Sequence, residues 1–158
     1  MVSTFDDGKV TANYGAWIAI SDSMQGGKST SAMQVVDGGA NHSKGALRVT
    51  GEVAASQMQY AGVAFGPGSA PMAPANLSHK KAISFWAKGD GKTYTLALLS
   101  QGLQGMPPMK TFVAGPEWKQ YTFPISSFDS DGSDITSLGY VSVAPGKFEF
   151  EIDEVEIK

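Results

Sequence analysis

The chain has no cysteine among its 158 residues. That absence removes disulfide scaffolds, zinc ribbons, thiol catalysis and iron–sulfur clusters together. Charge is scarce: 17% of the residues are Asp, Glu, Lys or Arg, against the roughly 25% usual in soluble domains. Positive charge is not in excess, because 12 Lys and Arg face 15 Asp and Glu for a net charge of -3, so the electrostatic footprint of a nucleic-acid binder is lacking. No apolar run reaches the about 18 residues of a membrane span. The opening Met-Val-Ser-Thr-Phe-Asp-Asp has neither the basic region nor the apolar core of a secretory leader. A sustained 3.6-residue period is also missing, which excludes a helical bundle or coiled coil.

What is present is Gly (19), Pro (8), Ser, Thr and Ala, the mix of short strands joined by many turns. Alternation places strands over Trp17–Ser21, Thr30–Val36, Ala46–Ala54, Tyr60–Phe65, Ala82–Lys88, Thr93–Ser100, Lys110–Val113, Lys119–Phe123, Gly139–Val143 and Lys147–Ile157. Gly26-Gly27, Asp37-Gly38-Gly39, Gly89-Asp90-Gly91 and Pro145-Gly146 separate them as turns. Pro124–Phe128 has room for one helical turn. This spacing predicts an all-β fold, a two-sheet antiparallel β-sandwich of the jelly-roll kind. The length suits one domain, with no internal repeat and no linker. Because strand-like sequence begins almost at once and the chain stops on a strand, residues 1–158 are expected to be a single domain cut from a larger protein.

The last strand carries the sharpest local signal. Phe148, Phe150 and Ile152 alternate with Glu149, Glu151 and Asp153, and then Val155 and Ile157 take the parity of Asp153. Such a phase flip predicts a β-bulge at Asp153-Glu154. A carboxylate re-aimed there needs a partner, either a cation or a cluster of N–H donors. Along Ile83–Lys88, Phe85 falls in the apolar series and Trp86 faces the other way with Ser84 and Lys88. An indole on that polar face is either covered by a loop or offered to a ligand. Trp118, after a turn, reads as a structural corner. Trp17 opens a strand and fits either role.

Several motifs fail on inspection. Gly27-Lys28-Ser29-Thr30 ends like a phosphate-binding loop, but the first glycine of that motif would fall on Asp22 and the following segment reads as strand. Asp129, Asp131 and Asp134 surround Gly132, yet glycine and glutamate are not at the EF-hand positions. His42 and His79 have no acidic or histidine partner at metal spacing, and no Gly-x-Ser-x-Gly elbow occurs. Most of the glutamates crowd the last strand, where a surface ladder explains them. The chain is therefore expected to be non-catalytic. Asn41-His42-Ser43 and Asn76-Leu77-Ser78 are formal glycosylation acceptors, relevant only in a secreted eukaryotic chain.

Phe5-Asp6-Asp7-Gly8, Trp17 and Ser21–Ser29 resemble the complex I intermediate-associated protein family. Ile83–Lys92, Trp118–Pro124 and Phe150–Val155 match its later strands, so the resemblance runs over nearly the whole chain. It implies a galactose-binding-like jelly roll, shared with carbohydrate-binding modules. It also implies an accessory domain of a larger secreted or periplasmic protein, similar to the domain that follows some amidohydrolase-type enzymes. Related modules hold a structural calcium, whose ligands here would be Asp6 or Asp7 with Asp153. On this reading Trp17, Tyr60 and Trp86 stack on sugar rings, while Asp22, Gln25 and Gln101 fix hydroxyls. Tyr60 enters by alternation, opposite the face of Val63 and Phe65. The alternative is docking onto a parent enzyme or an assembly partner through stiff Pro/Met loops, with Met72, Met106, Pro107, Pro108 and Met109 in contact.

Overall fold

A computed structural model of the protein describes residues 5–6, 17–56, 59–66, 73–101, 108–128 and 132–158. Asp7, Met72, Met106, Pro107, Asp129 and Asp131 lie outside them, as does the side chain of Gln25. Ten strands form: β1 (Trp17–Ser21), β2 (Thr30–Asp37), β3 (Gly45–Val53), β4 (Ala61–Phe65), β5 (Ala82–Gly89), β6 (Thr93–Ser100), β7 (Met109–Val113), β8 (Lys119–Pro124), β9 (Ile135–Ser142) and β10 (Gly146–Ile157). They make two five-stranded sheets, a front sheet in the order β1-β4-β9-β6-β7 and a back sheet in the order β2-β3-β10-β5-β8. Every pairing is antiparallel. The expected all-β, two-sheet jelly roll is thus the observed architecture. Among the described residues no helix is long and apolar enough to cross a membrane.

Nine of the strands lie within about two residues of the positions expected from alternation and turn chemistry. The tenth, β9, starts at Ile135 rather than Gly139, because it is buried along its whole length. A strand buried on both faces loses its alternation, and Ser133-Asp134-Ile135-Thr136-Ser137 then reads as turn. The turn after β8 is a short 3-10 segment, Ile125–Phe128, as its length allows.

The two inner faces supply the core. Val63, Phe65, Tyr94, Leu96, Phe112, Leu138 and Tyr140 from the front sheet meet Leu47, Val49, Ile83, Phe85, Phe150 and Ile152 from the back sheet. In β10 the pairing with β5 slips between Asp153 and Glu156, and Glu154 has φ 46°. That bulge returns Val155 and Ile157 to the core after Ile152, which is the phase flip read from the sequence. Two strands approach so closely at Gly62 that a Cβ there would lie 2.0 Å from the Tyr140 carbonyl oxygen. At the far edge, the Tyr121 hydroxyl of β8 donates to the Val113 carbonyl of β7 at 2.7 Å. This bond occupies backbone that would otherwise present an open edge.

One polar atom of the core has no partner. The Tyr140 hydroxyl is fully buried and makes no hydrogen bond, and burial drives its pKa upward. An uncompensated buried hydroxyl costs roughly 1–3 kcal/mol. Tyr140→Phe is therefore expected to hold or raise stability in urea unfolding, by roughly 1 kcal/mol. A clear loss would mean that the hydroxyl has a partner in solution.

Candidate functional site

The outer faces of the two sheets differ in chemistry. On the front sheet, register places Ile18, Ala64, Gly139, Ala97 and Met109 in one cross-strand row. The next row is Ile20, Gly62, Val141, Thr95 and Thr111. Paired residues point to the same side of a sheet, so these rows face away from the core. Apart from Leu99 of β6, the central strands β4, β9 and β6 carry small side chains there, and these are buried: Ala64, Ala97 and Val141 are each 7% exposed and Thr95 5%. The rims are open, with Ile18 at 52%, Met109 at 44% and Val113 at 46%. Val143, of the same parity as Val141, is 43% exposed. These four are the large hydrophobic side chains exposed among the described residues, and all belong to this one face. The face thus carries a buried central band of mostly small residues between exposed aliphatic rims, a channel whose floor is shielded from solvent.

The back sheet's outer face is charged and polar. Arg48, Glu151 and Lys88 follow one another across β3, β10 and β5. Lys88 Nζ lies 3.9 Å from Glu151, and Arg48 Nε lies 3.8 Å from Glu149. This is the glutamate ladder expected for the last strand, and its exposed pairs add little stability.

The predicted site residues scatter between these surfaces. Trp17 is not available for stacking: its indole is in the core, 5.4 Å from Phe65 and 5.7 Å from Tyr140 between ring centroids. Asp22 is likewise buried and committed. Its carboxylate accepts from Ser29 N–H at 3.0 Å, Ser29 Oγ–H at 2.8 Å and Tyr60 N–H at 3.2 Å. Gly27 must be glycine, because a Cβ would sit 2.3 Å from Asp22 Oδ1. The Asp-x-x-x-Gly-Gly-x-Ser segment is thus a staple joining the end of β1 to the starts of β2 and β4. Half-buried Tyr60 precedes β4 in the front sheet, whereas Trp86 lies on the back sheet opposite Gln120 and Asp153. Trp86 and the Tyr60 that leads into β4 thus belong to different sheets. Gln101 is exposed at the end of β6, its N–H bonded to the Asp134 carbonyl, and Met109 stands on the channel rim. Pro108 is half-buried just before it.

Sequence reasoning passed over Ile18, Ala64, Ala97 and Gly139. Their signal was the run of small residues at every second position of three strands, which only the sheet order makes adjacent.

A second corner gathers acids. Asp153 is fully buried at the bulge, with Oδ2 accepting Ala40 N–H at 2.9 Å and Oδ1 accepting Glu154 N–H at 2.7 Å. Burial pushes its carboxyl up to about 6, against the pull of the Glu154 N–H, the Ser43 hydroxyl and the Ala40 N–H. Asp6 accepts from the Ser43 hydroxyl, from Lys44 N–H at 2.8 Å and from Gly45 N–H at 3.1 Å. The Ser43 hydroxyl also lies 3.2 Å from the Gly45 carbonyl. These carboxylate, hydroxyl and carbonyl oxygens have the hardness a calcium ion requires. The N–H donors already satisfy several of the same oxygens. Among the described residues no group of three His, Asp or Glu side chains is gathered for a metal.

The fold and its two faces define a galactose-binding-like β-sandwich built as carbohydrate-binding modules are. The family 11 module of the cellulosomal cellulase Lic26A-Cel5E of Clostridium thermocellum aligns with a TM-score of 0.66 at 18% identity, covering 89% of this chain and 86% of that one. The same organism's family 11 module in complex with a β-1,3-1,4-mixed-linked tetrasaccharide aligns at 0.64 and 18%, over 89% of this chain and 87% of that one. TmCBM61 in complex with β-1,4-galactotriose aligns at 0.56 and 15%, over 99% and 94%. At these identities the likeness concerns the fold. No curated protein matches by sequence. The chain belongs to the Complex I intermediate-associated protein 30 (CIA30) family, whose model matches residues 4–151.

The Asp22 staple has a measurable pH signature. Burial would raise this carboxyl, but the Ser29 hydroxyl and the Ser29 and Tyr60 N–H groups outweigh it and hold the pKa below the ordinary 3.8. A depressed folded-state pKa gives stability that is present above the unfolded value and lost as pH falls through the folded one. Asp22→Asn is expected to lower the thermal midpoint at pH 7 and to flatten its fall below pH ~4. An unchanged acid limb would remove Asp22 from that role.

Proposed function

We propose that this protein is a non-catalytic module that binds a carbohydrate chain along the front-sheet channel, as an accessory domain of a larger secreted or periplasmic protein. The single observation that carries the reading is the cross-strand row of small residues Ala64, Gly139 and Ala97 between the exposed rims of Ile18 and Met109. Such a face would seat a single extended chain, with C–H faces of the sugar against the aliphatic rims and the exposed Thr111 hydroxyl beside it. Gln101 stands near one end. The likeness in fold to modules solved with saccharides supports this choice of ligand.

Gly139 offers a test, because among the described residues a Cβ there would meet only Ile20 Cδ1, at 3.9 Å. Gly139→Leu fills the floor without entering the core. It is expected to weaken binding to the channel at least tenfold in calorimetric titrations with mixed-linkage β-glucan and β-1,4-galactan oligosaccharides, with the thermal midpoint nearly unchanged. Undiminished channel binding would overturn the reading.

A second reading, docking onto a parent enzyme or an assembly partner, is favoured by one observation: the rims are aliphatic, and Met109 is among them. It requires that the wild-type protein bind none of these saccharides and that Met109→Lys abolish association with the rest of the parent protein.

A structural calcium held by Asp6 and Asp153 also belongs to this proposal. The oxygen-rich corner supports it, and the ion would neutralise a buried carboxylate that has no cationic partner among its described contacts. Millimolar calcium is expected to raise the thermal midpoint by several degrees over EDTA, and Asp153→Ala to erase the difference. Identical midpoints would leave the N–H donors as the partners of these carboxylates.

A further inference from the structure

Two of the three tryptophans stand at the charged outer face of the back sheet, outside the hydrophobic core. Trp86 projects from β5 between Ser84 and Lys88, directly opposite Gln120 of β8. One residue beyond the pairing of Ala87 with Lys119, Trp118 comes opposite Lys88. Lys88 Nζ indeed lies 5.3 Å from the centroid of the Trp118 ring. Trp86 and Trp118 are therefore diagonal cross-strand neighbours on one face, at a backbone separation of roughly 7–8 Å. Both are half-buried, and neither belongs to the core cluster. Trp118 stands directly after the bend at Pro116-Glu117 and directly before β8, the corner expected from the sequence, with its ring against Lys88.

The surroundings are those of a polar ligand site. Gln120 Nε2 donates to Ser84 Oγ at 3.2 Å, leaving the amide oxygen on the same side. Lys88 bridges the Trp118 face and Glu151, whose carboxylate is 3.9 Å away. An exposed cation–π contact is worth only about 0.5–1 kcal/mol, so a ligand ring can replace the ammonium on the indole. The displaced ammonium keeps Glu151 and can donate to a ligand hydroxyl. Aromatic faces flanked by an amide, an amine and a carboxylate suit a pyranose ring, which has an apolar C–H face and a rim of hydroxyls.

We infer that Trp86 and Trp118 form a second saccharide platform, on the side of the sandwich opposite the channel. This rests on the carbohydrate reading of the protein but not on the channel itself. A module with sites on opposite faces engages two polysaccharide chains at once, so its avidity for an insoluble matrix exceeds its affinity for a soluble oligosaccharide.

Tryptophan fluorescence separates the two sites, because the channel holds no tryptophan and Trp17 is in the core. With mixed-linkage β-glucan or β-1,4-galactan oligosaccharides, the wild-type protein is expected to show two binding sites by calorimetry and a saturable change in emission. Gly139→Leu is expected to keep the emission change and one site. Trp118→Ala, with Gln120→Ala as a milder second variant, is expected to weaken the emission-reported binding about tenfold and to leave the channel site intact. If Gly139→Leu loses all emission change, or Trp118→Ala and Gln120→Ala leave both sites unaltered, the platform is overturned and the channel stands. If the wild-type protein binds neither saccharide, both readings fall.

Discussion

Phe85 of the back sheet stands edge-on to both Phe112 and Tyr140 of the front sheet, with ring centroids 5.0 Å away in each case. Tyr140 continues the contact to Trp17, and Phe112 continues it to Phe150. This chain of tilted and perpendicular rings sets the separation of the two sheets, since aromatic edges and faces pack at fixed distances. Everything outward of it follows. The floor of the channel is the reverse side of the strands that carry Tyr94, Leu96 and Tyr140 inward. The tryptophan pair on the back is the reverse side of the strand that carries Phe85. Rigid placement of both outer faces is a consequence of a core that leaves its rings little freedom to repack.

The two outer faces are assigned opposite chemistry by the same alternation. On β3, β5 and β10 the outward positions include Arg48, Lys88, Glu149 and Glu151, which pair across strands, beside Ser84 and Trp86. On β4, β6 and β9 they are mostly Gly, Ala, Thr, Ser and Val, with Leu99, and they carry no charge. A face intended only for water has no use for small apolar residues between exposed aliphatic rims. The low overall charge of the chain thus has a location: it is the front sheet that goes without.

Much of the fold was legible before any coordinates. Strand positions came from two-residue alternation and from glycine turns, and the bulge came from the changed parity of Val155 and Ile157. Where alternation was absent, as in the fully buried first half of β9, the reading stopped short. The site was less legible. Asp22 was read as a hydroxyl-binding acid, yet its short range to Gly27 and Ser29 served a local staple. Trp17 was left between core and surface, because the first strand gives too few residues to fix which face is inward. Trp86 was placed correctly on the polar face, but its partner was sought in Tyr60, which belongs to the other sheet.

Composition and periodicity by themselves determined an all-β sandwich without cysteine chemistry, the boundaries of every strand but β9, most of the inward apolar residues and the bulge at Asp153. These are properties of the single strand, where local backbone geometry dictates which side chains share a face. Only the tertiary structure decided which faces become neighbours. Ile18, Ala64, Gly139, Ala97 and Met109 come from five separate segments, and Trp86 comes to lie diagonally across from Trp118, some thirty residues later in the chain. Strand order depends on long-range pairing between distant segments, so the channel and the tryptophan pair exist only once the sheets have formed.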